Sequence, residues 1–168
     1  MIEAPAVLDD LLLYRLTRLL ASAGSLVVRQ CEAGHGITRR EWRLIAILAE
    51  QGPLLSSGLA ARAHLQASRT SAAVTALVAK GLAVRHRRPG NRRQVQIGLT
   101  DAGRAVHAAL MPFVVQLNSS LCSVLSAAEA RQFDDMLARI QAGADVLART
   151  VAVPKDERRK GRARSKAA

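Results

Sequence analysis

A chain of 168 residues that is 49% apolar is long enough to bury one sizeable core and, by length, reads as one domain. Only 2% of it is aromatic, and that apolar content leans on Ala, Leu and Val, which favours closely packed helices over a β-sandwich. With 25 Lys+Arg against 13 Asp+Glu the formal charge is +12, which turns the search for partners away from basic surfaces and towards nucleic acid or an anionic membrane.

In chain order, Leu8, Leu12, Leu16, Leu19, Ala23, Leu26 and Val27 recur at three- and four-residue steps, which predicts a helix from Leu8 to about Gln30. Gly34 and Gly36 break it. Thr38 and Glu41 have capping-box spacing and open a second helix that turns Trp42, Ile45, Leu48 and Ala49 inward and stops at Gly52-Pro53. A short helix capped by Ser56 or Ser57 follows. After a brief turn comes another helix, capped by Ser68, with Thr70, Val74, Leu77 and Val78 inward, running to Lys80 and ended by Gly81. Two short helices joined by a tight turn make a helix-turn-helix.

Alternation then predicts two strands, one with Leu82, Val84 and His86 on a face and one with Val95, Ile97 and Leu99 on a face, joined by a turn through Pro89-Gly90. From Arg85 to Arg93 this hairpin holds five arginines, one histidine and no acid. Like charges that close repel, so the cluster is either a solvated tip or a seat for a polyanion. Thr100 caps a long helix with Val106, Ala109, Leu110, Phe113, Leu117 and Leu121 on its stripe, and Pro112 is expected to kink it. Ser126 and Glu129 form a second capping box ahead of a last helix striped by Phe133, Leu137, Ile140, Ala144, Leu147 and Val151. Beyond Pro154 the only apolar residue type is Ala, a composition expected to be disordered. That tail holds seven basic and two acidic residues, so the rest of the chain still carries +7.

The segment from Gly36 to Arg104 resembles the DNA-binding core of the MarR family, the multiple-antibiotic-resistance type of regulator. The resemblance rests on Thr38-x-x-Glu41-Trp42, Leu59-Ala60 in the first helix of the helix-turn-helix, Lys80-Gly81-Leu82, and Leu99-Thr100-x-x-Gly103-Arg104, in that order and spacing. It extends over roughly residues 8 to 151. It implies a mainly α fold with a small β-hairpin wing: a winged helix-turn-helix flanked by long dimerisation helices. The implied parts are an N-terminal dimerisation helix over 1–36, the winged helix-turn-helix over 37–100, C-terminal dimerisation helices over 101–152 and the basic tail over 153–168. Three long apolar stripes, more than one small winged-helix core can cover, independently favour a homodimer. A two-fold dimer reads a pseudo-palindrome on double-stranded DNA.

The resemblance makes the arginine-rich hairpin the wing, lying along the phosphate backbone with its tip in or near the minor groove, where negative potential is focused. Arg88, Asn91, Arg92 and Arg93 are its candidate contacts. Family wings usually carry Asp-x-Arg where this chain has Asn91-Arg92-Arg93, and often Asp at the position of Arg88, so the acid that would orient the arginines is missing. In the recognition helix the family's Arg falls about where Ala72 stands, and Arg69 supplies the only charge of the first turn. The groove-facing set is Ser68, Arg69, Ser71, Ala72, Ala73 and Thr75, with Arg69 suited to guanine and the Ala methyls to thymine methyls.

Arg15 interrupts the apolar stripe of the first helix. A buried guanidinium wants a carboxylate, either from an acid across the dimer or from an effector. Family members often bind small aromatic carboxylates between the DNA lobe and the dimer helices, which implies such an effector here, with His35 and Trp42 near the same junction. Trp42 equally fits the core. His107 reads as a partly exposed polar residue. His64, at the turn of the helix-turn-helix, and His86, in the wing, read as structural or phosphate-contacting. Cys31 and Cys122 are isolated from one another and from His at zinc spacing, so no metal or other cofactor is expected; unpaired thiols fit a cytoplasmic location, and Cys31 reads as a buried, inert thiol rather than a redox sensor. The N-terminus lacks the pattern of a signal peptide, and the apolar run from Leu8 is interrupted by Arg15 and Arg18, so no membrane partner is expected. No motif of hydrolase, nucleotide-binding or metalloprotease chemistry appears, which argues against an enzyme. Two functions stay open: a ligand-responsive transcriptional regulator, as a repressor, and an architectural DNA-binding protein without sequence preference or effector.

Overall fold

The computed structural model describes residues 2–88 and 91–152. A 3-10 turn at Leu8–Asp10 leads into α1 (Leu12–His35), followed by α2 (Arg39–Gln51), β1 (Leu54–Leu55), α3 (Ser56–Arg62), α4 (Ala67–Ala79), β2 (Ala83–Arg88), β3 (Asn91–Leu99), α5 (Asp101–Cys122) and α6 (Ala127–Thr150). The fold is mainly helical with a small antiparallel sheet in the order β1-β3-β2. The chain divides into two compact units, one up to Leu121 and one from Cys122 onward.

In the first unit, Ile37, Leu44, Ile45, Leu59, Val74, Leu77, Leu82, Ile97 and Leu110 form the heart of the core. The capping box of α2 is present: the Glu41 N–H donates to Thr38 Oγ1 at 3.2 Å, and the Thr38 N–H donates to a Glu41 carboxylate oxygen at 2.6 Å. Glu41 is buried, and Lys80 at the end of α4 reaches it at 2.8 Å while also donating to the Gly36 carbonyl. The start of α2 is thereby pinned to the end of α4.

Several boundaries differ from those the sequence predicts. α1 begins at Leu12 because Leu8–Asp10 winds as a 3-10 turn, and it absorbs Gly34 before Gly36 ends it. Neither Ser56, Ser57 nor Ser68 caps a helix. Leu55 and Gln66 hold the N-cap positions without side-chain bonds, because the chain enters α3 directly from β1, and a turn closed by Leu65 N–H on the Ala60 carbonyl enters α4 before Ser68 is reached. β1 is a third strand of only two residues, too short to leave an alternating pattern; it pairs with β3 at Leu54–Ile97 and Leu55–Gln96. On β2 the core-facing residue is Ala83 rather than Val84 or His86. The register pairs Ala83 with Leu99 and Arg85 with Ile97, and Leu82 precedes the strand, so an alternation counted from it falls on the wrong face.

Two dispersed motifs meet where α4 ends. Gly81 takes φ +69° and turns the chain out of the helix. The Thr100 hydroxyl donates to the Gly81 carbonyl at 2.7 Å, and the same oxygen accepts from the Gly103 N–H at 3.0 Å, capping α5. A Cβ on Gly103 would lie 2.1 Å from the Leu82 carbonyl oxygen, so only glycine permits this approach. α5 continues as one helix through Pro112 and buries only Gly103 and Leu110.

In the second unit, Ser126 and Glu129 form the second capping box and open α6. No residue of α6 is buried; its apolar positions, among them Phe133, Met136, Ile140 and Leu147, are exposed.

Candidate nucleic-acid interface

α4 is two-faced. Thr70, Ala73, Val74 and Leu77 are its buried face, and Ser68, Arg69, Ser71, Ala72 and Thr75 lie on its exposed one. Ala73 therefore leaves the groove-facing set. It is one turn from Thr70 and Leu77, both fully buried, and itself only 7% exposed. The other five residues stand together on one surface, with Arg69 the single charge among them.

A cation outside the set expected from the sequence joins this surface. The Arg85 guanidinium on β2 donates to Thr75 Oγ1 at 2.8 Å, tying the strand to the exposed face of α4. The signal was the strand period: Arg85 shares a β2 face with Ala83, the face turned towards α4. Arg88 and Asn91 are paired across β2 and β3 beside an irregularity at Arg87/Arg88, and Arg92 and Arg93 continue along β3. Their side chains, the tip at Pro89-Gly90 and the basic tail lie outside the described residues. His64 adopts φ 50°, the only non-glycine in the left-handed region among the described residues, and makes the turn between α3 and α4 sharp.

Arg15, His35 and Trp42 do not form one site within the chain. Arg15 is exposed rather than enclosed by its leucine neighbours. Twenty residues of α1 separate it from His35, about 30 Å at helical rise. Trp42 is a core residue whose ring stacks on His107 of α5, with centroids 5.6 Å apart and planes 19° apart. His107 is half-buried, and its Nε2 is enclosed without a hydrogen-bond partner. Cys31 is fully buried, and that burial, ahead of the neighbouring Glu32 charge, pushes its thiol pKa up. Cys122 is exposed.

A different pocket has the chemistry that Arg15 suggested. A cavity of about 240 Å³ lies between α1, the start of α2 and α5, walled by Leu20, Val27, Val114 and Leu117. Arg39 is its one cation, with a guanidinium nitrogen 2.9 Å from where a Cβ on Gly24 would stand. An apolar slot with a single convergent charge suits a small ring bearing an acid group. The sequence signal was faint: Arg39 directly follows the Thr38 cap and packs on Gly24 at a gap in the α1 stripe. Among the described residues, no cluster of His, Cys, Asp and Glu has the arrangement to hold a metal ion.

Residues 35–94, which hold the helix-turn-helix and most of the wing, match the model of the MarR family. The chain is 29% identical over 111 residues to the HTH-type transcriptional regulator FarR of Neisseria gonorrhoeae, covering 66% of this chain and 76% of FarR. A MarR family transcriptional regulator from Silicibacter pomeroyi superposes with a TM-score of 0.71 at 26% identity, covering 84% of this chain and 94% of that one. The PcaV transcriptional regulator of Streptomyces coelicolor, solved in complex with its natural ligand, has a TM-score of 0.69 at 24% identity over 84% of this chain and 99% of its own. Taken with the motifs that meet at the end of α4, these likenesses show that residues 35–94 match the MarR family and that the chain is similar in fold to winged-helix transcriptional regulators of that family.

Proposed function

We propose that the protein is a homodimeric, cytoplasmic DNA-binding repressor released by a small aromatic carboxylate. The observation that carries DNA binding is the exposed face of α4, where Arg69 and the Arg85-tethered Thr75 share one surface beside the arginine-rich wing. In this reading α4 enters the major groove, Ser68, Arg69, Ser71, Ala72 and Thr75 face base edges, and Arg88, Asn91, Arg92 and Arg93 of the wing follow the backbone. Phosphate contacts supply most of the affinity, which then falls steeply with salt.

Dimerisation rests on the exposed apolar residues of α1, α5 and α6, including Leu13, Leu19, Leu121 and Phe133. Such surfaces on long helices call for a partner. α5 has the length and apolarity to cross a membrane, with a mean hydropathy of 1.3 over its best window. A second copy accounts for that face, since Leu110 and Gly103 of the same helix belong to the winged-helix core. The effector site is the cavity at Arg39, and PcaV, which shares the fold, is a regulator with a natural ligand. Arg39 opens α2, and Glu41 two residues on holds Lys80 at the end of α4, so a shift at Arg39 has a short path to the recognition helix.

Selection of random duplexes on the purified protein at physiological salt tests the reading. Enrichment of a pseudo-palindrome with half-sites one helical turn apart is expected. The single charge on the exposed face of α4, set against the arginine-rich wing, favours a second reading as a general DNA-binding protein. That reading predicts binding with no enriched sequence.

A further inference from the structure

Three arginines crowd the start of α2 without a carboxylate to neutralise them. Arg39, Arg40 and Arg43 share with Leu65 an open depression of about 230 Å³. Among the described residues, none of the three takes part in an ion pair. The acid between them in sequence, Glu41, is buried and already engaged by Lys80 and Thr38. Arg43 is held against the turn between α3 and α4, donating from Nη1 to the Ala63 carbonyl at 3.1 Å. Leu65, on the rim, stands two residues before α4 begins. The depression therefore lies beside the N-terminal end of the recognition helix, not on α4 or the wing.

Guanidiniums gathered this way repel one another, and water only screens the repulsion. An oxyanion removes it and gains charge-assisted, bidentate hydrogen bonds, the geometry in which arginine suits phosphate. The N-terminal end of a recognition helix is the end that meets base edges, so the strand it faces carries its phosphates past this point.

We propose that Arg39, Arg40 and Arg43 form a phosphate clamp that grips the DNA backbone beside the recognition helix, in addition to the grip of α4 and the wing. The proposal rests on the DNA-binding reading above. Arg40 carries the test best, because it is exposed and makes no described interaction on which the fold depends. The experiment measures duplex affinity by fluorescence anisotropy across a salt series for the full chain and its Arg40→Gln variant. Arg29→Gln, the same charge removal on the exposed side of α1, is the control. The clamp predicts a slope of log affinity against log salt that is shallower by about 0.9 for each phosphate that Arg40→Gln no longer neutralises, and unchanged in Arg29→Gln.

An unchanged slope in Arg40→Gln, with wild-type duplex binding intact, overturns the clamp while leaving the DNA-binding reading standing. Equal changes in both variants also overturn it, since the effect is then general charge. A second arm replaces chloride with inorganic phosphate at constant ionic strength and follows thermal unfolding. If phosphate stabilises the wild type more than Arg40→Gln while the duplex slope is unchanged, the site takes free phosphate and the DNA assignment fails. Absence of any duplex binding by the wild type removes the clamp together with the reading beneath it.

Discussion

Single atoms decide the outcome at two residues. Gly103 brings the first turn of α5 onto the Leu82 carbonyl, and a Cβ there meets backbone that cannot rotate away. Gly103→Ala is therefore expected to destabilise the fold by about 3 kcal/mol, read by denaturant unfolding. Cys31 and Cys122 separate in the opposite sense, by exposure. A thiol reagent added to the native protein should label Cys122 readily and Cys31 only on unfolding, because Cys31 is enclosed and its pKa is raised by that burial. Labelling followed by peptide mass analysis checks this. The burial of Cys31 was legible in the sequence, since it falls late on a helix with an apolar stripe. The environment of His107 was not: its stacking on Trp42 joins residues 65 positions apart, and no local pattern encodes that. Arg15 shows the converse. Its leucine neighbours in sequence lie on several sides of α1, so apolar flanks did not bring burial.

Helices and strands were legible wherever a local interaction sets their ends. The boxes Thr38–Glu41 and Ser126–Glu129 are satisfied by groups three residues apart, and both helices start where that spacing puts them. The starts of α3 and α4 were misplaced because tertiary entry from β1 and from a tight turn, rather than a serine, fixes them. The Glu129 carboxylate accepts from the Ser126 N–H and hydroxyl, and these bonds hold its pKa below the usual carboxylate range. A depressed pKa contributes stability that is complete above the unfolded value and is lost as pH falls through the folded one. Helicity contributed by α6 should thus decline on acidification below the ordinary glutamate pKa, and Glu129→Gln should flatten that decline in a circular dichroism titration. Between elements, Lys80 joins α4 to α2. Lys80→Met leaves Glu41 buried and unpaired, with an expected loss of about 2 kcal/mol, reduced from that of a fully buried pair because Lys80 is partly exposed. Unfolding in denaturant measures it.

Across the whole molecule, Arg39 is the residue that both proposed ligands share. It lines the apolar cavity between α1 and α5 on one side and the arginine cluster beside α4 on the other. A carboxylate in the cavity and a phosphate outside it then draw on one guanidinium, and by linkage each weakens the other to the same degree. Arg39→Gln is expected to leave duplex binding insensitive to salicylate, used as the aromatic acid, where the wild type is released by it; anisotropy titrations with and without the acid decide this. The general architecture was legible because several weak motifs occur in the right order. The effector cavity was not, since its walls come from residues 19–27, 39 and 114–121, whose convergence only the fold produces. The central claim, that the exposed face of α4 reads sequence, is tested most directly by selecting random duplexes on the wild type and on Arg69→Ala in parallel. The account predicts that Arg69→Ala loses preference for one base in each half-site, worth about 1–3 kcal/mol of discrimination, while the rest of the motif persists. An identical motif from both proteins, or none from either, would contradict it.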